Sequence, residues 1–152
     1  MSHERTLLAP LKLAATSRTC FSGITADVLL GGEDAPMTVM NMTVEPDLGA
    51  PAHISFEEDK VFVLTQGRFQ FLLGSTVVWA EAGDRVFVPK GAIHSFRADG
   101  DVARMTLISS PARHDRFFHA IHALPEPRTP ADIAAVCAKF AQQMRGPIVG
   151  TE

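Results

Sequence analysis

The sequence predicts an all-β domain, an antiparallel sandwich or barrel, followed by a C-terminal α-helix. Three observations carry this. Short β-rich runs recur from about residue 16 to 110, and glycines at regular intervals punctuate them. The pattern then changes to a helical apolar stripe after residue 125.

The runs follow one another closely. MTVMNMTVE (37–45) is rich in β-branched residues and methionine, and KVFVLTQG (60–67) reads as a strand ending in a Gln-Gly turn. RFQFLLG (68–74) alternates, with Phe69, Phe71 and Leu73 on one face. TVVWAEAG (76–83), RVFVPKG (85–91) and VARMTLISS (102–110) complete the series. Gly67, Gly74, Gly83, Gly91 and Gly100 mark the turns. Trp79, Phe62, Phe69, Phe71, Phe87 and Phe96 are expected mostly in the core.

DRFFHAIHAL (115–124) reads as a short helix or an irregular segment that packs Phe117, Phe118 and Ile121. PEPRTP (125–130) is a stiff connector. Thr129 can cap a helix with Pro130 at its first position and Asp132 near its positive end. Ile133, Val136, Cys137, Phe140 and Met144 form one stripe, and Gly146-Pro147 is expected to end the helix. Residues 1–124 are thus assigned to the barrel with its N-terminal strands, and 125–152 to a C-terminal helical extension.

The chain has 152 residues, of which 46% are hydrophobic, so one domain with a substantial core is expected. A net charge of −3 and scattered Lys and Arg argue against nucleic acid as a partner. Cys20 and Cys137 form no CxxC pair and read as reduced, buried thiols. In MSHERTLLAPLKLAAT, Glu4, Pro10 and Lys12 break any secretory pattern. No run reaches the roughly 18 apolar residues of a membrane span. A cytoplasmic protein with no membrane partner is the expectation.

The chemistry concentrates in PAHISFEEDKVFVLTQG (51–67) and in the turn before His94. These two segments resemble the paired signatures of the cupin superfamily. In the first, Gly49, His53 and Gly67 match, Ser55 stands at the second histidine and Lys60 at the glutamate. The opening spacer, APA, is shorter than usual. In the second, Gly83, Pro89, Gly91 and His94 match in spacing, while Ala98 replaces the terminal asparagine. The resemblance covers about residues 37–110, and SPARHDRFF (110–118) is similar to segments that follow the barrel in quercetinase-like cupins. It implies a cupin jelly-roll, the double-stranded β-helix barrel, in a small single-domain protein with a degenerate metal-ligand motif. It also implies pairing of strands between subunits, and a homodimer is expected.

In metal-binding cupins three histidines and a glutamate converge on an ion. Here the corresponding set is His53, Ser55, Lys60 and His94. Residues 53 and 55 share one face of a strand. Residue 60 lies about 16 Å further at ~3.3 Å per residue unless 56–59 turn the chain. Serine is a poor ligand for a divalent transition ion. A lysine ammonium carries donors only and repels a cation in a low-dielectric cavity. Metal binding would need a neutral Lys60, which burial can supply, or recruitment of Glu57, Glu58 or Asp59. Glu57 is in strand phase with His53, so His53, His94 and Glu57 are the candidate ligands if Fe, Ni, Mn or Zn is held. The alternative without metal is a pocket for an anionic or carbonyl-bearing small molecule, bound by His53, Ser55, Glu57, Lys60 and His94.

Each residue has a plainer alternative. His53 and His94 can be hydrogen-bonded interior histidines. Lys60 can turn outward to pair with Glu57 or Glu58. His114, His119 and His122 read as surface histidines on a short helix, and Arg113 and Arg116 as solvated. Three functions stay open. The first is a metal-independent isomerase or proton-transfer enzyme in which Lys60, His53 and His94 are catalytic. The second, implied by the resemblance, is a metal-dependent dioxygenase. The third is a binding module without turnover.

Overall fold

A computed structural model describes residues 9–151; the first half of MSHERTLLAPLKLAAT, with Glu4, lies outside them. In chain order the elements are β1 (Ser17–Phe21), β2 (Ile24–Leu30), β3 (Thr38–Val44), β4 (Gly49–Ser55), β5 (Asp59–Gln66), β6 (Arg68–Leu73) and β7 (Thr76–Glu81). There follow β8 (Arg85–Val88), β9 (Ile93–Ala98), β10 (Ala103–Ser110), α1 (His114–His122), α2 (Pro130–Lys139) and β11 (Gln142–Ile148). One sheet runs β1-β2-β3-β10-β5-β8 and the other β11-β4-β9-β6-β7. The pairings are antiparallel, and the two sheets form a jelly-roll barrel with helices at its C-terminal end.

Alternation sets the faces. On β3, Met40, Met42 and Val44 are buried; on β10, Ala103, Met105 and Leu107; on β5, Phe62 and Leu64. The opposite sheet contributes Phe69, Phe71 and Phe96. Phe62 meets Phe71 at 5.5 Å and Phe96 at 5.8 Å between ring centroids, so one aromatic cluster ties the sheets together. Each such side chain contributes about 1.5–3 kcal/mol by leaving water.

Two motif glycines have clear physical reasons. Gly67 takes φ 75° in the turn between β5 and β6. At Gly49 a Cβ would overlap the Phe96 carbonyl oxygen, so only glycine lets β4 approach β9 here.

The C-terminal stripe does not form one helix. Thr129 caps α2 by accepting from the Asp132 amide at 3.1 Å, with Pro130 in the first turn, as expected. The helix ends at Lys139, Ala141 takes φ 53°, and the chain returns as β11 along β4. Cys137 is buried, with Ile133, Val136 and Phe140 half-buried against the core; Met144 lies on the strand, 42% exposed. The reason is competition: two more helical turns would include Gly146 and Pro147, both poor helix formers. Pairing instead covers the open edge of β4. Residues 125–152 therefore hold a helix and a strand of the second sheet.

Other positions also differ from expectation. Trp79 and Phe87 are 46% and 61% exposed because they sit on outward-facing positions of the edge strands β7 and β8. The Arg68 guanidinium covers the Trp79 ring at 4.1 Å. Cys20 is exposed, since neighbouring Thr19 takes the inward position on β1; Cys137 is buried, and both thiols are free.

The helix α1 is pinned across β1. His119 Nε2 lies 2.9 Å from Ser17 Oγ, and the Cys20 amide donates to His122 Nδ1 at 3.0 Å. Buried Asp115 accepts from the Gly32 amide at 2.9 Å and from Thr38 Oγ1 at 2.8 Å. Among the described residues no helix is long and apolar enough to cross a membrane.

Candidate functional site

A cavity of about 460 Å³ lies between the sheets and runs beneath α1, α2 and β11. Its walls are largely apolar, from Met42, Phe62, Phe96, Leu107, Phe117 and Phe118 among others. Its polar lining residues are Lys60, His53, His114 and Ser22, the last with its hydroxyl donated to the Gly49 carbonyl at 2.8 Å.

Lys60 points inward because it keeps phase with Phe62 and Leu64 on β5; it is 2% exposed. His53 on β4 is paired in register with His94 on β9, and their rings lie 4.2 Å apart. The Nδ1–H of His53 donates to the Pro51 carbonyl at 2.7 Å, and that of His94 to the Ala92 carbonyl at 3.0 Å. Those acceptors fix the tautomers and leave a lone pair on each Nε2. Both lone pairs meet Lys60: Nζ lies 3.4 Å from His53 Nε2 and 3.1 Å from His94 Nε2.

A neutral amine has two N–H groups, and two imidazoles accept them. Its lone pair occupies the remaining position. An ammonium has a third N–H, for which the described residues supply no hydrogen-bond partner. Burial pushes Lys60 down to about 7, against the pull of Glu58. Burial, then the nearby Lys60 charge, pushes His53 down to about 3 and His94 also below its ordinary value. Both imidazoles are therefore neutral acceptors near neutral pH.

Behind the amine is a second polar group. Glu58 is 1% exposed and accepts from Gln142 Nε2 at 3.1 Å, with Arg113 Nε 3.9 Å away. Ser55 Oγ donates to Gln142 Oε1 at 2.6 Å. Burial raises the Glu58 pKa, opposed by Lys60, Gln142 and Arg113. Ser55 thus belongs to this buried network, tied to the strand opposite it, rather than to the cavity wall.

Glu57 lies outside the group, exposed and ion-paired with Arg113. The strand phase that aligned it with His53 ends at Ser55. Residues 56–58 turn, and the turn brings Glu58 inward instead. Arg113 is correspondingly engaged with both carboxylates rather than simply solvated.

His114 was expected on the surface, but it is 3% exposed and on the cavity wall. Its Nδ1 is buried with no hydrogen-bond partner, and its ring packs on Phe118 at 4.9 Å and Phe117 at 5.5 Å. Burial holds its pKa well below the ordinary value. The signal was present in the sequence: extending the Phe117–Phe118–Ile121 stripe back by three or four residues lands on His114.

A divalent transition ion does not fit these residues. The two imidazole lone pairs converge on a side chain that becomes a cation at and below neutral pH, and Ser55 is turned away toward Gln142. Among the described residues no group of three or more His, Cys, Asp or Glu is placed to hold a metal.

Barrel topology, paired motif histidines and the internal cavity together define a cupin, and residues 40–110 match the cupin domain family model. The match covers a little under half of the chain, and together with the barrel it gives the protein a cupin fold. Among solved structures it is similar to Streptomyces Pac13 with uridine (21% identity, TM-score 0.60), over 93% of this chain and 94% of that one. Pac13 is a nucleoside dehydratase. KdgF from Halomonas sp. aligns at 17% identity and TM-score 0.57, over 70% of this chain and 91% of that one. An RmlC-like cupin from Shewanella frigidimarina aligns at 17% identity and TM-score 0.55, over 76% and 96%. Identities this low establish the fold alone. No curated protein matches the sequence.

Proposed function

We propose that the barrel binds a small anionic or carbonyl-bearing organic molecule with an oxygen on Lys60, and that it catalyses a metal-independent proton transfer. The observation that carries this reading is the Lys60 amine, held by two imidazole acceptors at 3.1 and 3.4 Å on the wall of an apolar cavity. A group titrating at about 7 is well matched to general acid–base work at neutral pH. The neutral amine takes a proton from carbon next to a carbonyl. The ammonium so formed has its third N–H free to neutralise the enolate oxygen. His53 and His94 hold the amine in place, being too weakly basic to keep the proton themselves. Isomerisation and elimination of water both begin with such a step. Pac13, which shares the fold across most of its length, is a dehydratase; that likeness is compatible with this class and does not carry it.

The test uses two probes. Benzoate should bind the wild type at about pH 6, and its affinity should fall as pH rises through about 7, where Lys60 loses its charge. Lys60→Met should weaken binding about ten- to hundredfold, the value of a hydrogen bond to a charged group. Acetophenone should exchange its methyl protons for deuterium in the presence of wild type but not of Lys60→Met. Benzoate binding without exchange leaves a binding module. Benzoate affinity that is indifferent to Lys60 and to pH overturns the reading.

A cytoplasmic homodimer belongs to the same reading. Its support is the exposed Val77, Trp79 and Phe87 on the edge strands β7 and β8, and sedimentation as a monomer at micromolar concentration would remove it. For the dioxygenase alternative no observation speaks: the two imidazoles converge on an amine, while Glu57 is paired with Arg113 and Ser55 with Gln142.

A further inference from the structure

We infer that Lys60 is a nucleophile as well as a proton carrier, and that the cavity forms a Schiff base between its amine and a small aldehyde or ketone. The inference rests on the pocket reading above and deepens it. Three features of the geometry lead to it. Both N–H groups of the neutral amine are spoken for by imidazoles fixed through their own carbonyl contacts, so the lone pair is left as the free valence of Nζ. Lys60 faces a cavity of about 460 Å³, room for a small organic carbonyl compound. The walls are apolar, and desolvation of this kind activates a lysine amine toward carbonyl carbon. Glu58 and Arg113, the charged groups nearest behind the amine, lie on the network side rather than on the cavity wall.

The step balances without any further reactant. The Nζ lone pair attacks the carbonyl carbon, a C–N bond forms, and the C=O π pair moves to oxygen. One N–H proton passes through an imidazole Nε2 to that oxygen and gives a carbinolamine. The hydroxyl then leaves as water with a second proton, and the C=N bond closes. Nothing is oxidised or reduced. Burial supports the same outcome, because an apolar surrounding favours the uncharged amine over the ammonium.

The experiment is reductive trapping with benzaldehyde and cyanoborohydride at neutral pH, with the sites read by peptide mass spectrometry. The reductant supplies hydride only to fix the imine as a secondary amine. Lys12, Lys90 and Lys139 are exposed in the same molecule and serve as internal references. Lys60 should be labelled at least about tenfold faster than any of them, and benzoate should protect it. Lys60→Met should lose the fast label while the other three sites keep their slow one. Labelling of Lys60 no faster than the three exposed lysines overturns the inference, even if Lys60→Met fails to fold. Benzoate binding that depends on Lys60 without fast labelling would refute the nucleophile alone. Loss of both would refute the pocket reading with it.

Discussion

Replacing Lys60 by methionine should remove a pH dependence from the stability of the fold. Methionine nearly matches lysine in length, so the aromatic cluster beneath it keeps its packing. In the folded protein Lys60 is lowered to about 7 from 10.5. Between those values the unfolded chain holds a proton that the folded one has released, so stability rises with pH. The slope is about 1.4 kcal/mol per pH unit for one proton. From about pH 7.5 to 9 the wild type should gain about 2 kcal/mol, a large part of a total of about 5–15 kcal/mol. The window is unusually clean, because the chain has no tyrosine. Its upper end is set by Cys137, whose thiol is pushed up from 9.0 by burial and acts in the opposite direction above that value. The assay is urea unfolding at several pH values on wild type and Lys60→Met. A rising wild-type curve and a flat variant curve are expected. Parallel curves would mean that the amine is charged in the fold throughout this range, and the argument from its buried position would fail.

On the acid side the sign comes from the imidazoles: His53, His94 and His114 are lowered below 6.5, so the unfolded chain takes up protons first and stability falls as pH drops below 6.5. Unfolding free energies from urea titrations should fall with a slope of at most about 4 kcal/mol per unit for three protons, partly offset by Glu58, whose pKa burial raises, and His114→Phe should remove about a third of the histidine contribution. Ser55→Ala leaves the Gln142 Oε1 oxygen without its donor, and a thermal melt should show a loss of about 1–3 kcal/mol. Lys60→Glu puts a carboxylate beside two imidazole lone pairs, and calorimetry should show affinity for Zn²⁺ or Ni²⁺ that the wild type lacks. Adding Ser55→His should help less, since residue 55 faces Gln142; no gain for any ion would separate residue 60 from the imidazoles.

The barrel was legible because its turns are written in glycine. Gly67, Gly83 and Gly91 all take positive φ, and Pro89 and His94 follow at the family's spacing. Lys60, His53 and His94 were legible as neighbours for the same reason, since strand alternation fixes which way each one points. What alternation could not show is where it stops. Extrapolating the β4 phase past Ser55 selected Glu57, whereas the turn inverted the order and buried Glu58. The C-terminal stripe failed similarly: its spacing is helical, but Ala141 in a left-handed conformation breaks it, and alanine gives no warning of that. His114 was one helical step beyond the aromatic stripe, and reading it as polar placed it outside.

The final strand gives the chain's end control over the chemistry at its centre. Gln142 opens β11, and its side-chain amide grips Glu58, the carboxylate that pulls the Lys60 pKa upward. Slippage of the tail along β4 would release that carboxylate and alter the amine's affinity for its proton, although the amine's own hydrogen bonds run to His53 and His94. Sequence drift after residue 140 can therefore retune the acidity of the reactive nitrogen while the barrel that surrounds it stays as it is.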